Sequence, residues 1–278
     1  MKEIMDKEQA HILLLYLLQQ FEKVCSEADI YYYASGGTGL GAVRHQGFIP
    51  WDDDIDVMMP REFYDRFVSA ANKVLKKPVV IRTRENDPYF CQEYIKLCFL
   101  DDEIGWSDVS IDVFFLDYTK PERKLFRKTQ NSLLKYLYFI KSYKITKDGH
   151  GGEYHPQGIM KRFAFSVADA LLSYRFIDKI HKKIMMAESG PTEEYVNWGS
   201  CYSYKKATYS KKNLGTPHRV KFENTTILLA EHHEEILKQL YGENYMMPPK
   251  KIVDHGVRPL HCQQLDFGQV EREVGLEE

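Results

Sequence analysis

Ser35 to Pro60 reads SGGTGLGAVRHQGFIPWDDDIDVMMP. Gly36 and Gly37 open a turn, a short helical stretch runs to Arg44, and an acidic run from Asp52 to Asp56 leads into apolar residues. Glycines that let backbone amides approach phosphate, followed by carboxylates spaced to hold a divalent cation, are what phosphoryl or nucleotidyl transfer requires. Ile30 to Ala34, with three consecutive tyrosines, predicts a strand entering the turn, and Asp54 to Met59 predicts a second strand ended by Pro60. Thr38 to Arg44 predicts a helix weakened by Gly39 and Gly41, at roughly 1 kcal/mol each relative to Ala. Such a cost points to close approach of the backbone to another group, or to tight packing against a strand.

Upstream, Lys7 to Ala28 has apolar residues at helical spacing (Ile12, Leu15, Leu18, Phe21, Val24, Cys25) and predicts an amphipathic helix. Downstream, Arg61 to Leu75 is helical in pattern. Val79 to Thr83, Glu93 to Leu100 and Val109 to Leu116 read as strands, the last two as an antiparallel hairpin. After Tyr118 the pattern turns helical, over Lys120 to Lys144 and Ile159 to Met186. Glu231 to Tyr241 is a helix closed by Gly242, with Pro248 and Pro249 beyond it. The stretch from His261 shows little periodicity and reads as a tail. The expectation is an α/β (α+β) protein with a mixed-sheet core over residues 1–118, a mainly helical part over 119–260 packed on it, and a tail over 261–278.

Two apart on a predicted strand, Asp54 and Asp56 leave the same face, while Ile55 points into the core. Asp112, inside the apolar VSIDVFFL, supplies a third carboxylate from an adjacent strand. Three carboxylates held together repel and raise one another's pKa unless a cation neutralises them. Magnesium, with manganese as the alternative, suits such oxygen ligands. The plainer reading is a solvated acidic turn, with Asp112 satisfying a loop amide. Asp52 and Asp53 read as loop residues that cap or support the ligands. Arg44 is placed either to grip phosphate or to pair with a nearby Asp. Lys96, on the strand face opposite Ile95, Leu97 and Phe99, either reaches the site or snorkels at the surface. The histidines show no metal spacing, and His45 and His255 are the two worth testing.

A chain of 278 residues with 44% hydrophobic and 28% charged residues is that of a soluble globular protein. No apolar run reaches the roughly 20 residues that span a bilayer, and no signal peptide is recognised, so a cytoplasmic location is expected. Five scattered cysteines without a CxxC pair indicate neither a disulfide framework nor a zinc site. The net charge of -2 conceals an asymmetry: Lys120 to Lys183 holds 15 Lys and Arg against five acids. That basic segment faces an anionic surface, such as the inner face of a membrane, or is an ordinary solvated helical face. No nucleic-acid motif accompanies the charge, so no nucleic acid is expected as partner.

GAVRHQGFIPWDDDID resembles the signature of the LicD family of phosphotransferases, which includes phosphorylcholine transferases and fukutin-type enzymes. SIDVFFLD (Ser110 to Asp117) resembles its second acidic motif and LYGENYMMPP (Leu240 to Pro249) its carboxyl-terminal one, in the family's order over about residues 10–258. The resemblance implies a nucleotidyltransferase-type fold whose mixed sheet presents Asp54 and Asp56 as the metal pair and Asp112 as the third acid. It places Arg44 on the family's arginine and Gly36 and Gly37 on the phosphate-side turn; Thr38 and Lys96 are expected beside them as donor-binding residues. Gly39 and Phe115 depart from the family's pattern. The activity implied is magnesium-dependent transfer of a phosphorylated alcohol, phosphocholine from CDP-choline above all, to a hydroxyl of a teichoic acid or lipopolysaccharide type glycan, with release of CMP. Ribitol or glycerol phosphate transfer, nucleotidyl transfer, DxD glycosyl transfer and nucleotide binding without catalysis are the alternatives. For a choline cargo, Trp51, Trp106, Trp198, Tyr202 and Tyr204 are candidates for a cation–π cage.

Overall fold

The computed structural model describes residues 6–103, 105–120, 124–147, 156–187, 190–249 and 265–275. The chain forms two compact units that interleave in sequence. The first takes Met1–Arg82, Tyr94–Leu116 and Tyr209–Glu278, and the second takes Thr83–Glu93 and Asp117–Thr208. The chain enters the second unit at Thr83 and again at Asp117. The return of the carboxyl-terminal residues to the first unit is not visible in the pattern.

In the first unit, α1 (Lys7–Ala28) starts at a capping box in which the Asp6 carboxylate accepts from the Gln9 amide and the Gln9 side chain accepts from the Asp6 amide. Its apolar stripe, including Leu14, Leu17 and Phe21, is fully buried. There follow β1 (Tyr33–Ala34), α2 (Gly36–Arg44), β2 (Ile55–Pro60), a 3-10 turn at Arg61–Phe63, α3 (Tyr64–Val74), β3 (Val79–Arg82), β4 (Ile95–Asp101) and β5 (Gly105–Thr119). The sheet order is β1-β2-β5-β4-β3. β2 and β5 run parallel, while the pairs β1/β2, β4/β5 and β3/β4 are antiparallel, which gives the expected mixed sheet and hairpin.

The two strands beside the glycine turn start later than predicted. The Ile30 amide donates to the Cys25 carbonyl at the end of α1, so sheet pairing begins only at Tyr33. Asp54 lies just before β2, because the Asp52 amide turns back to the Ile49 carbonyl and pairing starts at Ile55.

The second unit contains α4 (Lys124–Lys147), α5 (Ile159–Leu171), α6 (Tyr174–Met185) and β6 (Glu194–Asn197). The single helix predicted over Ile159 to Met186 is two helices, since the Ser173 hydroxyl accepts from the Phe176 amide and caps a new start. Leu137, Ile140, Phe165 and Ile177 form one buried cluster there, and Leu134, Met185, Val196 and Trp198 another. Between the helices lies a buried charge cluster. Glu93 accepts from Lys141 at 2.5 Å and from His181 at 2.8 Å and pairs with Arg84, which also pairs with Asp178.

Returning to the first unit, β7 (Thr208–Ser210) leads to α7 (Lys211–Leu214), then to the hairpin of β8 (His218–Phe222) and β9 (Thr225–Leu229), and on to α8 (His233–Tyr241) and α9 (Phe267–Glu273). The hairpin is not among the predicted elements. Its two-residue turn puts Glu223, rather than a glycine, at positive φ (53°). Helix α9 corrects the expected tail: Asp266 caps it, and Val270 and Val274 are buried in the core of the unit. Seven residues are too few to show a helical period. His255 and residues 261–264 and 276–278 lie outside the described residues. No described helix is long and apolar enough to cross a membrane.

Candidate active site

The start of α2 is fastened to β2 at one residue. The Ser35 amide donates to the Asp56 carbonyl (2.9 Å), and the Asp56 amide donates to the Thr38 hydroxyl oxygen (2.8 Å). Gly36 has φ 54°, and a Cβ there would stand 2.8 Å from an Asp56 carboxylate oxygen; one at Gly37 would stand 2.2 Å from an Asp52 oxygen. The two glycines thus let carboxylates lie against the first turn of the helix. Unpaired amides and the helix dipole favour negative charge there. Gly39 and Gly41 serve packing instead, since Cβ atoms at them would meet the carbonyls of Ala34 (3.1 Å) and Gly47 (2.5 Å).

Register across the sheet draws four charged residues into one line. Asp56 on β2 is opposite Asp112 on β5, Asp112 is opposite Lys96 on β4, and Lys96 is opposite Arg82 on β3. Residues in register share a sheet face, so two acids are followed by two bases along that face. Lys96 turns to the acids: its ammonium donates to Asp112 Oδ1 (2.8 Å) and to the Ser110 hydroxyl oxygen (2.9 Å). The Ser110 hydroxyl in turn donates to the same Asp112 oxygen (2.9 Å).

Negative charge is in excess at the other end of the line. Burial, then the carboxylates of Asp54, Asp112 and Asp52, push the Asp56 carboxyl well above the usual carboxylate range, against the opposing pull of Lys96. Asp52, Asp53 and Asp54 each offer an oxygen within 4.8 Å of the others, a spacing suited to one metal ion. The structure therefore gathers Asp52 and Asp53, given only a supporting role by sequence, with Asp54. It sets Asp56 and Asp112 side by side as a separate register pair.

Distant residues hold the loop that carries these acids. Lys7 donates to the Trp51 carbonyl (2.8 Å), and His11 donates to the Asp52 carbonyl (2.9 Å) while its ring stacks on Phe48 at 4.1 Å. From the β8–β9 turn, the Glu223 carboxylate accepts from the Phe48 amide (2.8 Å) and its amide donates to the Gln46 carbonyl (2.7 Å). Neither His11 nor Glu223 has a local sequence signal, because their partners are far along the chain.

Arg44 does not pair with an Asp among the described residues. It donates to His45 Nε2 (2.9 Å) and to the Tyr245 carbonyl (3.2 Å) and lies over the Trp51 ring at 5.9 Å. Burial and then Arg44 itself lower the His45 pKa, which suits His45 as an unprotonated acceptor. The contact with Tyr245 ties the GAVR segment to LYGENYMMPP. Of the candidate cage residues, Trp106 lies under Arg82 at 5.1 Å, Trp198 stacks on Tyr204 at 5.7 Å, and Tyr202 lies under Lys206 at 5.9 Å.

Residues 29–141 match the family described as LicD/FKTN/FKRP, nucleotidyltransferase domain. The match includes both acidic segments and stops short of LYGENYMMPP. The chain is 50% identical over 70 residues to the lipopolysaccharide cholinephosphotransferase LicD of Haemophilus influenzae, covering 25% of this chain and 26% of that protein. It is also 40% identical over 55 residues to an uncharacterized protein of Rickettsia typhi, covering 20% of this chain and 18% of that one. A Rickettsia prowazekii protein, likewise uncharacterized, is 43% identical over 49 residues, 18% of each chain. The likeness thus spans about a quarter or less of the length of these relatives. The glycine turn, the acidic loop and the strand bearing Asp112, and with them the charged line across the sheet, all fall inside the segment that matches this nucleotidyltransferase domain family.

Proposed function

We propose that this protein is a magnesium-dependent transferase that moves a phosphorylated alcohol, phosphocholine from CDP-choline in the first instance, onto a hydroxyl of a teichoic acid or lipopolysaccharide type glycan and releases CMP. The observation that carries the reading is the crowding of carboxylates at the start of α2, where burial and then Asp54, Asp112 and Asp52 raise the Asp56 carboxyl. The likeness to a lipopolysaccharide cholinephosphotransferase supports the choice of cargo and acceptor.

The donor set fits a hard cation: carboxylate oxygens of Asp52, Asp53 and Asp54 at metal-ligand spacing, with Asp56 crowded by the same charges. These residues, with Asp112 as the sequence predicts, would hold magnesium or manganese, which when bound supplies positive charge against the donor's diphosphate. Asp112, oriented by Lys96 and Ser110, either completes that donor set or takes the proton of the acceptor hydroxyl as the acceptor oxygen bonds to phosphorus and the bond to CMP breaks. Lys96 offsets charge on the phosphoryl group in transit. The amides of Gly36 and Gly37 and the Thr38 side of the turn face the donor. Arg44, whose contacts join two separated segments, positions the loop between α2 and the acids. Placement in the cytoplasm, at the inner face of the membrane, accords with the free thiols of Cys25, Cys91, Cys98 and Cys201.

The test is a release assay with magnesium and a panel of CDP-choline, CDP-ribitol, CDP-glycerol, UDP-sugars and nucleoside triphosphates, with and without crude cell-wall glycan. The expected product is CMP from CDP-choline, lost in Asp54→Ala. CMP from another CDP-alcohol changes the cargo and keeps the chemistry. UDP or pyrophosphate would turn the reading to sugar or nucleotidyl transfer, and no product with bound nucleotide would turn it to a binding protein.

A further inference from the structure

Helix α5 buries one face and leaves another apolar face to solvent. Phe165 is buried against the neighbouring helices, while Met160 is 86% exposed, Phe163 71%, Val167 40% and Leu171 76%. Ala164 and Ala170 are exposed with them. At 100° per residue these six positions fall within an arc of about 120°, as wide as the core-facing stripe of an ordinary amphipathic helix. The only acid of the helix, Asp169, is drawn away from that arc by ion pairs with Lys144 and Lys147. Lys161 and Arg162, both exposed, belong to the same turn as Met160 and Phe163.

The surroundings are strongly one-signed. Helices α4, α5 and α6 together carry thirteen Lys and Arg against two acids, Asp169 and Asp178. Both acids are engaged in ion pairs within the unit. Further large apolar side chains stand exposed on α4 and α6, among them Leu125 (81%) and Phe176 (50%). A contiguous apolar face of this kind marks an interaction site. A second copy meeting it through the same face would bring the same excess of positive charge, which disfavours a face-to-face dimer. An anionic lipid surface offers acyl chains for the apolar arc and headgroup charge for the lysines and arginines, the two attractions that together hold an interfacial helix.

We propose that the outer face of α5 is a docking surface for an anionic membrane, with Met160, Phe163, Val167 and Leu171 entering the interface and Lys161 and Arg162 meeting its headgroups. The proposal does not depend on the transfer chemistry. The test is flotation of the full chain with vesicles of phosphatidylcholine alone and of phosphatidylcholine with phosphatidylglycerol, at low and high salt. Binding to the anionic vesicles is expected, at least tenfold weaker without the anionic lipid, and weaker at high salt. Phe163→Gln with Leu171→Gln, and separately Lys161→Glu, are expected to reduce it at least tenfold with an unchanged circular dichroism spectrum, because all three side chains project from the surface. Absence of binding to either vesicle, equal binding to both, or binding untouched by these variants would overturn the proposal. So would a dimer in light scattering that the Phe163→Gln, Leu171→Gln variant dissolves, since the face would then belong to a second copy. CMP release in solution is expected to be the same in these variants as in the unaltered chain.

Discussion

Each unit buries ionisable side chains, and the two treat them in opposite ways. In the second unit, burial pushes the Glu93 carboxyl up, but the hydrogen bond from His181 and the charges of Lys141 and Arg84 outweigh it and hold Glu93 below the usual carboxylate range. In the first unit, burial raises Asp56 and three crowding carboxylates raise it further, outweighing the opposing charge of Lys96. A buried charge is therefore not in itself the mark of a site. Charge balanced by its own chain is architecture, and charge left unbalanced at a helix start is a place for an added cation.

The sharpest way to break that contrast is at Glu93. Glu93→Gln leaves Arg84 and Lys141 to share Asp178 in place of two anions, and removing one partner from a buried ion pair costs about 3–5 kcal/mol. The expected result is a loss of that size in urea unfolding, with faster hydrogen exchange in peptides from 83–93 and 124–185. Acid should do the same to the unaltered protein, and the sign can be worked out group by group. Glu93 is depressed, so its contribution is present above the ordinary carboxylate pKa and is lost as pH falls below it. Burial also lowers His181, against the pull of Glu93, so below about pH 6.5 the unfolded chain takes up a proton that the folded chain resists. His181 therefore weakens the second unit as pH falls below about 6.5, and Glu93 adds to the loss only below the ordinary carboxylate range. Unchanged exchange in these peptides between pH 7 and pH 4 would show the cluster to be energetically idle.

At the unbalanced site the corresponding change should spare the fold and remove the chemistry. Asp56→Asn takes one charge from a crowded set, so the melting temperature is expected to hold or rise, while CMP release falls by about a hundredfold or more. A melting temperature that falls together with activity would make Asp56 a structural residue and erase the distinction between the units. Magnesium tests the same point without mutation. At a hundred times its dissociation constant it should stabilise the first unit by about 2.7 kcal/mol, seen as slower exchange in 35–60, with the second unit unmoved and the effect lost in Asp54→Ala.

How much of this could be read from sequence follows from the range of the interactions. The hairpin and the adjacency of the strands bearing Asp56 and Asp112 rest on local alternation and on apolar runs, and these were legible, whereas the parallel direction of the pair has no local signal. Asp54 was placed one residue too far into its strand, because a loop turn at Asp52 delays pairing in a way that alternation does not encode. The meeting of Arg44 with Tyr245 spans two hundred residues of chain, and composition holds no trace of it. The same is true of the Glu93 cluster, whose members come from three separated segments. Helix α9 escaped because seven residues span only two turns.

The smallest expected effect concerns the scaffold around the acids. Glu223 accepts from the Phe48 amide, and a Cβ at Gly47 would stand 2.0 Å from the same carboxylate oxygen. The loop thus depends on a carboxylate above and a bare glycine beneath it. Glu223→Ala removes the acceptor and leaves a partly buried amide without it, a loss of about 1–3 kcal/mol. Gly47→Ala should be destabilising by itself, since the new methyl group and the carboxylate compete for one position. In the double variant the clash is gone, so its loss of stability should be smaller than the sum of the two, a coupling of about 0.5–3 kcal/mol in denaturant unfolding. If Glu223 holds the loop only to position the acidic run, both single variants lower CMP release several-fold while magnesium still slows exchange across 52–56. If magnesium protection disappears as well, the β8–β9 turn sets the geometry of the carboxylate cluster itself, and the unbalanced charge of the first unit is held in place from a segment more than a hundred and fifty residues away.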